Sequence, residues 1–164
     1  MINDGATAFS DHRAKQKMSQ RGKGSEDAVN NVLTRYGSDR GFRFTWERIP
    51  DARAAGGRFT PVAGDFRAFY SGRSACVEVK ETLMVDRLPK KNFSADKIAR
   101  AYKLSLAGVI CPVLIHHTTT GRWAVQDVKF FYENSGPSWY TAGFPSFDGA
   151  EKALDFALSA LFNP

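Results

Sequence analysis

The sequence predicts an α/β fold in which a mixed central sheet is flanked by helices, and three observations carry that prediction. Residues 26–36 and 95–106 place their apolar side chains at helical spacing. Residues 42–48 and 75–80 alternate apolar and polar side chains with the period of a strand. The run 109–116 is almost continuously apolar, as a central strand covered on both faces would be.

A chain of 164 residues with 43% hydrophobic content is long and apolar enough to bury one core, so wholesale disorder is excluded. The formal net charge of +6 points to a polyanionic partner, nucleic acid before an anionic membrane. The longest apolar run, 107–115, is too short to span a bilayer and contains Gly108 and Pro112, so no membrane partner is expected. Cys76 and Cys111 both fall in expected strands and read as buried free thiols, because neither a disulfide framework nor a zinc spacing exists. The N-terminus lacks an apolar signal segment, and a cytoplasmic location is the expectation.

Residues 1–23 are polar and basic without hydrophobic period, an arm suited to ordering on a polyanion or to remaining a solvated terminus. Residues 24–164 are expected to form a single domain. Ser25 reads as the N-cap of a helix over 26–36 that Gly37 ends. Ala28, Val29, Val32, Leu33 and Tyr36 form its stripe, with Glu26 at the edge. Glu26 has two readings: a first-turn carboxylate favoured by the helix dipole, or an acid turned into a metal site. The strand 42–48 has an aromatic inner face. The segment 48–63 that follows is broken by Pro50, Gly56, Gly57 and Pro61, and its Arg53 and Arg58 are placed to touch a phosphate backbone or to sit on an ordinary exposed loop.

Next comes a β-hairpin. Asp65 opens the aromatic run 66–70, a turn follows at Ser71 to Arg73, and 75–80 returns as the second strand. Strand side chains alternate faces, so Glu78 and Lys80 project from one side, and Asp65 at the start of the partner strand can converge on them. Two carboxylates and an ammonium in one small volume suit metal-assisted phosphodiester hydrolysis. Mg²⁺ takes hard oxygen ligands, which Asp65, Glu78 and the Val79 carbonyl can supply, and Mn²⁺ can substitute. The metal acidifies a bound water and neutralises charge on the phosphate, while Lys80 orients that water or stabilises the transition state. The same E-x-K spacing also occurs in plain surface ion pairs, and both readings stand at this point.

The remaining elements follow in order. Residues 83–92 form a basic loop around Pro89. Ser94 caps a helix over 95–106 that packs Ile98, Ala101, Tyr102 and Ser105 inward, with Lys97, Arg100 and Lys103 towards the other side. His116 and His117 end the central strand, where they are either ligands or a general base, or plain polar strand ends, and they are left outside the active site. A further strand is expected over 122–130. The aromatic loop 133–147 offers either a base-stacking surface or satellite core packing. Asp148 to Glu151 resembles a capping box, opening a terminal helix with Ala153, Leu154, Ala157, Leu158, Leu161 and Phe162 as its buried stripe.

The motifs themselves resemble a known family. Gly64-Asp65-Phe66, then Val77-Glu78-Val79-Lys80-Glu81-Thr82, then Leu88-Pro89-Lys90-Lys91-Asn92-Phe93, then Lys97-Ile98 and Gly108-Val109-Ile110-Cys111 are similar to RecU-type Holliday junction resolvases of the PD-(D/E)xK nuclease superfamily. The similarity covers about 24–117. It implies a restriction-endonuclease-like core, metal ligation by Asp65 and Glu78, a catalytic Lys80 and a supporting acid at Glu26. It also implies a homodimer that cuts four-way DNA junctions, with 48–63 where such proteins carry a stalk. Phosphate contacts would come from Arg53, Arg58, Lys90, Lys91 and Lys97. This chain departs from the family pattern in its Gly-rich stalk segment, in Lys97 where relatives usually carry Gln, and in Asp96 where they often carry His. Its small size suits a phage-encoded relative, which would place it in the host cytoplasm. The alternatives are another nuclease of the same core, restriction-like or a repair nicking enzyme, and a non-catalytic nucleic-acid-binding module.

Overall fold

A computed structural model describes residues 23–50 and 62–163. Most of the expected basic arm and most of the stalk-like segment, including Arg53 and Arg58, lie outside the described residues. Helix α1, Lys23–Arg40, extends past Gly37, which was expected to end it. A glycine costs a helix only about 1 kcal/mol relative to alanine. Burial of Val29, Val32, Leu33 and Tyr36 against the sheet outweighs that cost. Ser25 does not cap the helix but lies within its first turn.

A 3₁₀ turn, Gly41–Arg43, takes the place expected for the start of the next strand, and β1 covers only Phe44–Arg48. Phe42 is consequently exposed, whereas Phe44 is buried. The hairpin forms as expected, with β2 over Phe66–Tyr70 and β3 over Arg73–Thr82 pairing antiparallel, Phe66 opposite Val77 and Tyr70 opposite Arg73. Ser71 and Gly72 both take positive φ, 46° and 83°, the turn whose twist matches that of the strands it joins.

The expected basic loop is in part ordered: Arg87–Pro89 is a short strand, β4, and Lys90–Asn92 a 3₁₀ turn. Helix α2, Ala95–Leu106, is capped as expected, the Ser94 hydroxyl accepting from the Lys97 amide at 3.3 Å. This helix carries the chain across to β5, Pro112–His117, which lies parallel to β3. Strand β6, Arg122–Asp127, stops short of the expected end because Asp127 caps helix α3, Val128–Glu133, accepting from the Lys129 amide at 2.8 Å. The aromatic loop contributes β7, Ser138–Tyr140, paired with β4, and β8, Ser146–Asp148, paired with β6. Trp139 and Phe144 are buried, which settles them as core packing. Helices α4, Ala150–Ala157, and α5, Ser159–Phe162, close the chain. The expected capping box is absent: Gly149 is the N-cap, and Asp148 instead pairs with Arg122 at 2.7 Å.

The six-stranded sheet has the order β1-β2-β3-β5-β6-β8, and β3 with β5 is its parallel pair among antiparallel neighbours. One face is covered by α1, α4 and α5 through Val29, Leu33, Leu154, Leu158 and Leu161. The other is covered by α2, α3 and the β4-β7 ribbon through Ile98, Ala101, Phe93, Phe131 and Trp139. Strand β3 runs through the middle, sending Ala75, Val77 and Val79 into the first layer and Cys76 into the second. Cys76 and Cys111 are buried free thiols, as expected. Alternation therefore carries Glu78 and Lys80 onto the α2 side, where an otherwise apolar layer meets two charges.

Candidate active site

Asp65 is placed by the residue before it. Gly64 has φ +78°, and a Cβ there would stand 2.5 Å from Cys76 Sγ and 3.2 Å from the Val77 carbonyl, so only glycine lets the chain approach β3 this closely. The Asp65 amide then donates to the Val77 carbonyl at 2.8 Å. Its Oδ2 accepts from the Val79 amide, also at 2.8 Å, which fixes the carboxylate and leaves Oδ1 facing the α2 side.

Around Oδ1 the charges gather. Lys97 Nζ lies 3.2 Å from Asp65 Oδ1 and 3.3 Å from Glu78 Oε1. Lys80 Nζ pairs with the same Glu78 Oε1, donates to the Val79 carbonyl at 3.2 Å and sits 5.2 Å from the centre of the Phe93 ring. Glu78 is only 3% exposed. Burial pushes its carboxyl above the ordinary glutamate range, Lys80 opposes that and Asp65 adds to it. Burial by itself would lower the Lys97 pKa, but Glu78 and Asp65 outweigh it and hold the ammonium above the usual lysine value.

Asp65, Glu78 and Lys80 thus come together as expected. Lys97 was expected on the outward side of α2 and instead points into the site. Its neighbours explain the correction: it adjoins Ile98 and lies one turn before Ala101, both buried, so its stem runs along the edge of the packed face and its head reaches the acids.

The donor set fits a hard divalent cation. Two carboxylate oxygens already converge on a single positive charge, the Lys97 ammonium, which stands in for a cation at that point. The Val79 carbonyl, on the residue between Glu78 and Lys80, accepts from Lys80 Nζ at 3.2 Å. Among the described residues no third acid, histidine or cysteine joins these two in a group able to hold a metal. Glu26 lines a neighbouring cleft of about 560 Å³ with Val79, Lys80, Lys91 and Asn92, which borders the acid cluster through Val79 and Lys80. Its carboxylate is held by Arg48, whose other amino group is 3.2 Å from Asp27. Glu26 is therefore at the rim, paired with a guanidinium rather than grouped with Asp65 and Glu78. Lys90 and Lys91 are exposed, and Asn92 donates to the Glu81 carbonyl at 3.1 Å, fixing the turn that carries them.

The two histidines stay outside the acid cluster, as expected. His117 is buried between the Met84 carbonyl and the Thr141 hydroxyl, the latter 3.1 Å from its Nε2. His116 stacks on Trp123 with ring centres 4.5 Å apart and shares Ser25 Oγ with Glu81, each at 2.8 Å. This Ser25 bridge ties α1 to β3 and β5 directly behind the E-x-K. In the sequence the same serine looks like a helix cap.

No protein-family description and no curated protein matches this chain. Among solved structures, Hjc, a Holliday junction resolvase from the archaeal hyperthermophile Archaeoglobus fulgidus, is similar to it with a TM-score of 0.48 and 18% identity, covering 80% of this chain and 98% of that one. Among the described residues no helix is long and apolar enough to cross a membrane.

Proposed function

We propose that this chain is a divalent-metal-dependent DNA endonuclease, acting on branched DNA and, as a homodimer, on four-way junctions. The observation that carries the reading is the convergence of Asp65 Oδ1 and Glu78 Oε1 on one cationic position, with Lys80 beside Glu78. Asp65, Glu78 and the Val79 carbonyl would hold Mg²⁺ or Mn²⁺. When bound, such an ion supplies Lewis-acid neutralisation of the scissile phosphate and a water of lowered pKa. Lys80, anchored over Phe93 and on the Val79 carbonyl, is a positioned cation for the charge that develops on the phosphate. Lys91 at the cleft and the adjoining exposed Lys90, with Arg53 and Arg58, would bind neighbouring phosphates without reading base sequence. Glu26 holds Arg48 at the rim and so sets the position of a further cation. Preference for a four-way junction rests on the resemblance of the Asp65, E-x-K and L-P-K-K-N-F motifs to RecU-type resolvases. Dimeric symmetry would present two sites to paired strands. A single nuclease domain over 24–164 with a stalk-like segment at 48–63 belongs to the same reading, as does a phage-encoded origin.

One observation favours a second reading, a non-catalytic DNA-binding module: both acids already have ammonium partners. The test is cleavage of a labelled four-way junction, a linear duplex and a flap by the purified protein with Mg²⁺, Mn²⁺ or chelator. Metal-dependent cutting of the junction in preference to the others is expected. Cutting of linear duplex or flap instead would identify a different nuclease of the same core, and binding without cutting under every metal would identify the module.

A further inference from the structure

Among the described ion pairs, Lys97 alone joins both candidate ligand acids. Lys80 is also close, but it touches only Glu78 and is packed on Phe93. The two lysines differ in freedom: the Lys97 side chain is 31% exposed, that of Lys80 13%. A four-carbon stem with an exposed flank can swing its head to solvent, and a packed one cannot without losing its contacts. Charge also separates the states. With both ammoniums in place the two carboxylates are neutralised, and a divalent ion gains no net attraction from the cluster. With Lys97 swung out, the cluster carries one net negative charge, Asp65 Oδ1 is released, and Glu78 Oε1 is left with Lys80 as its one ammonium partner among the described ion pairs.

We propose that Lys97 is a displaceable counter-ion, whose ammonium holds Asp65 and Glu78 together in the metal-free protein and competes with divalent metal for the same two oxygens. This rests on the reading of those acids as metal ligands. Lys97 is a positioning residue in this role: it governs how readily the metal loads, and when displaced its head lies in solvent.

The experiment is Mn²⁺ binding to the full-length protein, followed by the electron paramagnetic resonance of the free ion, for wild type, Lys97→Gln, Lys97→Arg and Asp65→Asn. Lys97→Gln, which keeps a polar side chain but removes the charge and one atom of reach, is expected to bind Mn²⁺ at least tenfold more tightly than wild type. Lys97→Arg should stay near wild type, and Asp65→Asn should lose binding. Equal or weaker binding by Lys97→Gln, with Asp65→Asn still defective, would overturn the counter-ion while leaving the metal site. Failure of wild type and Lys97→Gln alike to bind Mn²⁺ would overturn both. A second readout needs no variant. Acylation of wild-type lysines, located by mass spectrometry, should label Lys97 more strongly when Mn²⁺ is present and leave Lys80 unchanged, and unchanged Lys97 labelling at saturating Mn²⁺ would also overturn the proposal.

Discussion

The Asp65 carboxylate accepts the Val79 amide at 2.8 Å through Oδ2, so the acid that opens one strand of the hairpin is bonded to the backbone of the E-x-K on the other. That bond orients Oδ1 towards Glu78 and Lys97 and makes the acid pair a property of the hairpin itself. The same bond separates the structural use of Asp65 from its chemical use. In Asp65→Asn the amide oxygen can still accept from Val79 while the ligand charge is gone. The variant is expected to fold with a stability within about 1 kcal/mol of wild type and to lose cleavage by about 100-fold or more. Thermal unfolding and a junction-cleavage time course check the two halves. A variant that keeps full Mg²⁺-dependent cutting would contradict the role given to Asp65.

Gly64→Ala tests the close approach that places Asp65. Its added Cβ meets Cys76 Sγ at 2.5 Å on a backbone with φ +78°. The combined strain and overpacking should cost about 2 kcal/mol or more and shift Asp65 away from Val79. Denaturant unfolding measures the first effect. Weakened Mn²⁺ binding measures the second.

The pH dependence follows from Glu78. Its folded pKa is raised, so its contribution to the stability of the metal-free protein is present below the unfolded pKa and lost as pH rises through the folded one. Metal binding needs the ionised acid and runs the opposite way. Mn²⁺ affinity, measured by calorimetry between about pH 5 and 8, should climb through a midpoint above the ordinary glutamate range. An affinity already at its plateau throughout that window would contradict the buried carboxyl.

How much of this was legible in the sequence depends on how local each determinant is. The hairpin and its Asp65, Glu78 and Lys80 were readable because strand alternation and a two-residue turn are written within a few positions. The Ser94 cap and the α2 stripe were readable for the same reason. Lys97 was misplaced because its orientation is decided by carboxylates 32 and 19 positions away, which no local period encodes. Ser25 looks like a cap in the sequence because its partners, Glu81 and His116, arrive only when β3 and β5 pair. The β4-β7 ribbon escaped notice because two three-residue strands carry too little pattern to be told from loop.

Ser25→Ala removes the hydroxyl bridge behind the site. Loss of two half-buried hydrogen bonds should cost about 1–2 kcal/mol, read as a lower midpoint in thermal unfolding. An unchanged midpoint would mean that the bridge does not secure α1 to the sheet.

The basic turn makes a prediction for binding alone. Lys91 lines the cleft without belonging to the acid cluster, so Lys91→Ala should lower the slope of log affinity against log salt for a four-way junction by about 1. Fluorescence anisotropy over a salt series measures it. An unchanged slope would place the DNA elsewhere.

The central claim is that Asp65 and Glu78 together hold a divalent ion. Diffraction from crystals grown with Mn²⁺, collected where manganese scatters anomalously, tests this most directly. A peak about 2.2 Å from both Asp65 Oδ1 and the Glu78 carboxylate, with the Lys97 head moved off the acids, is the predicted result. Ordered density with the Lys97 ammonium still between them and no peak at saturating Mn²⁺ would contradict it.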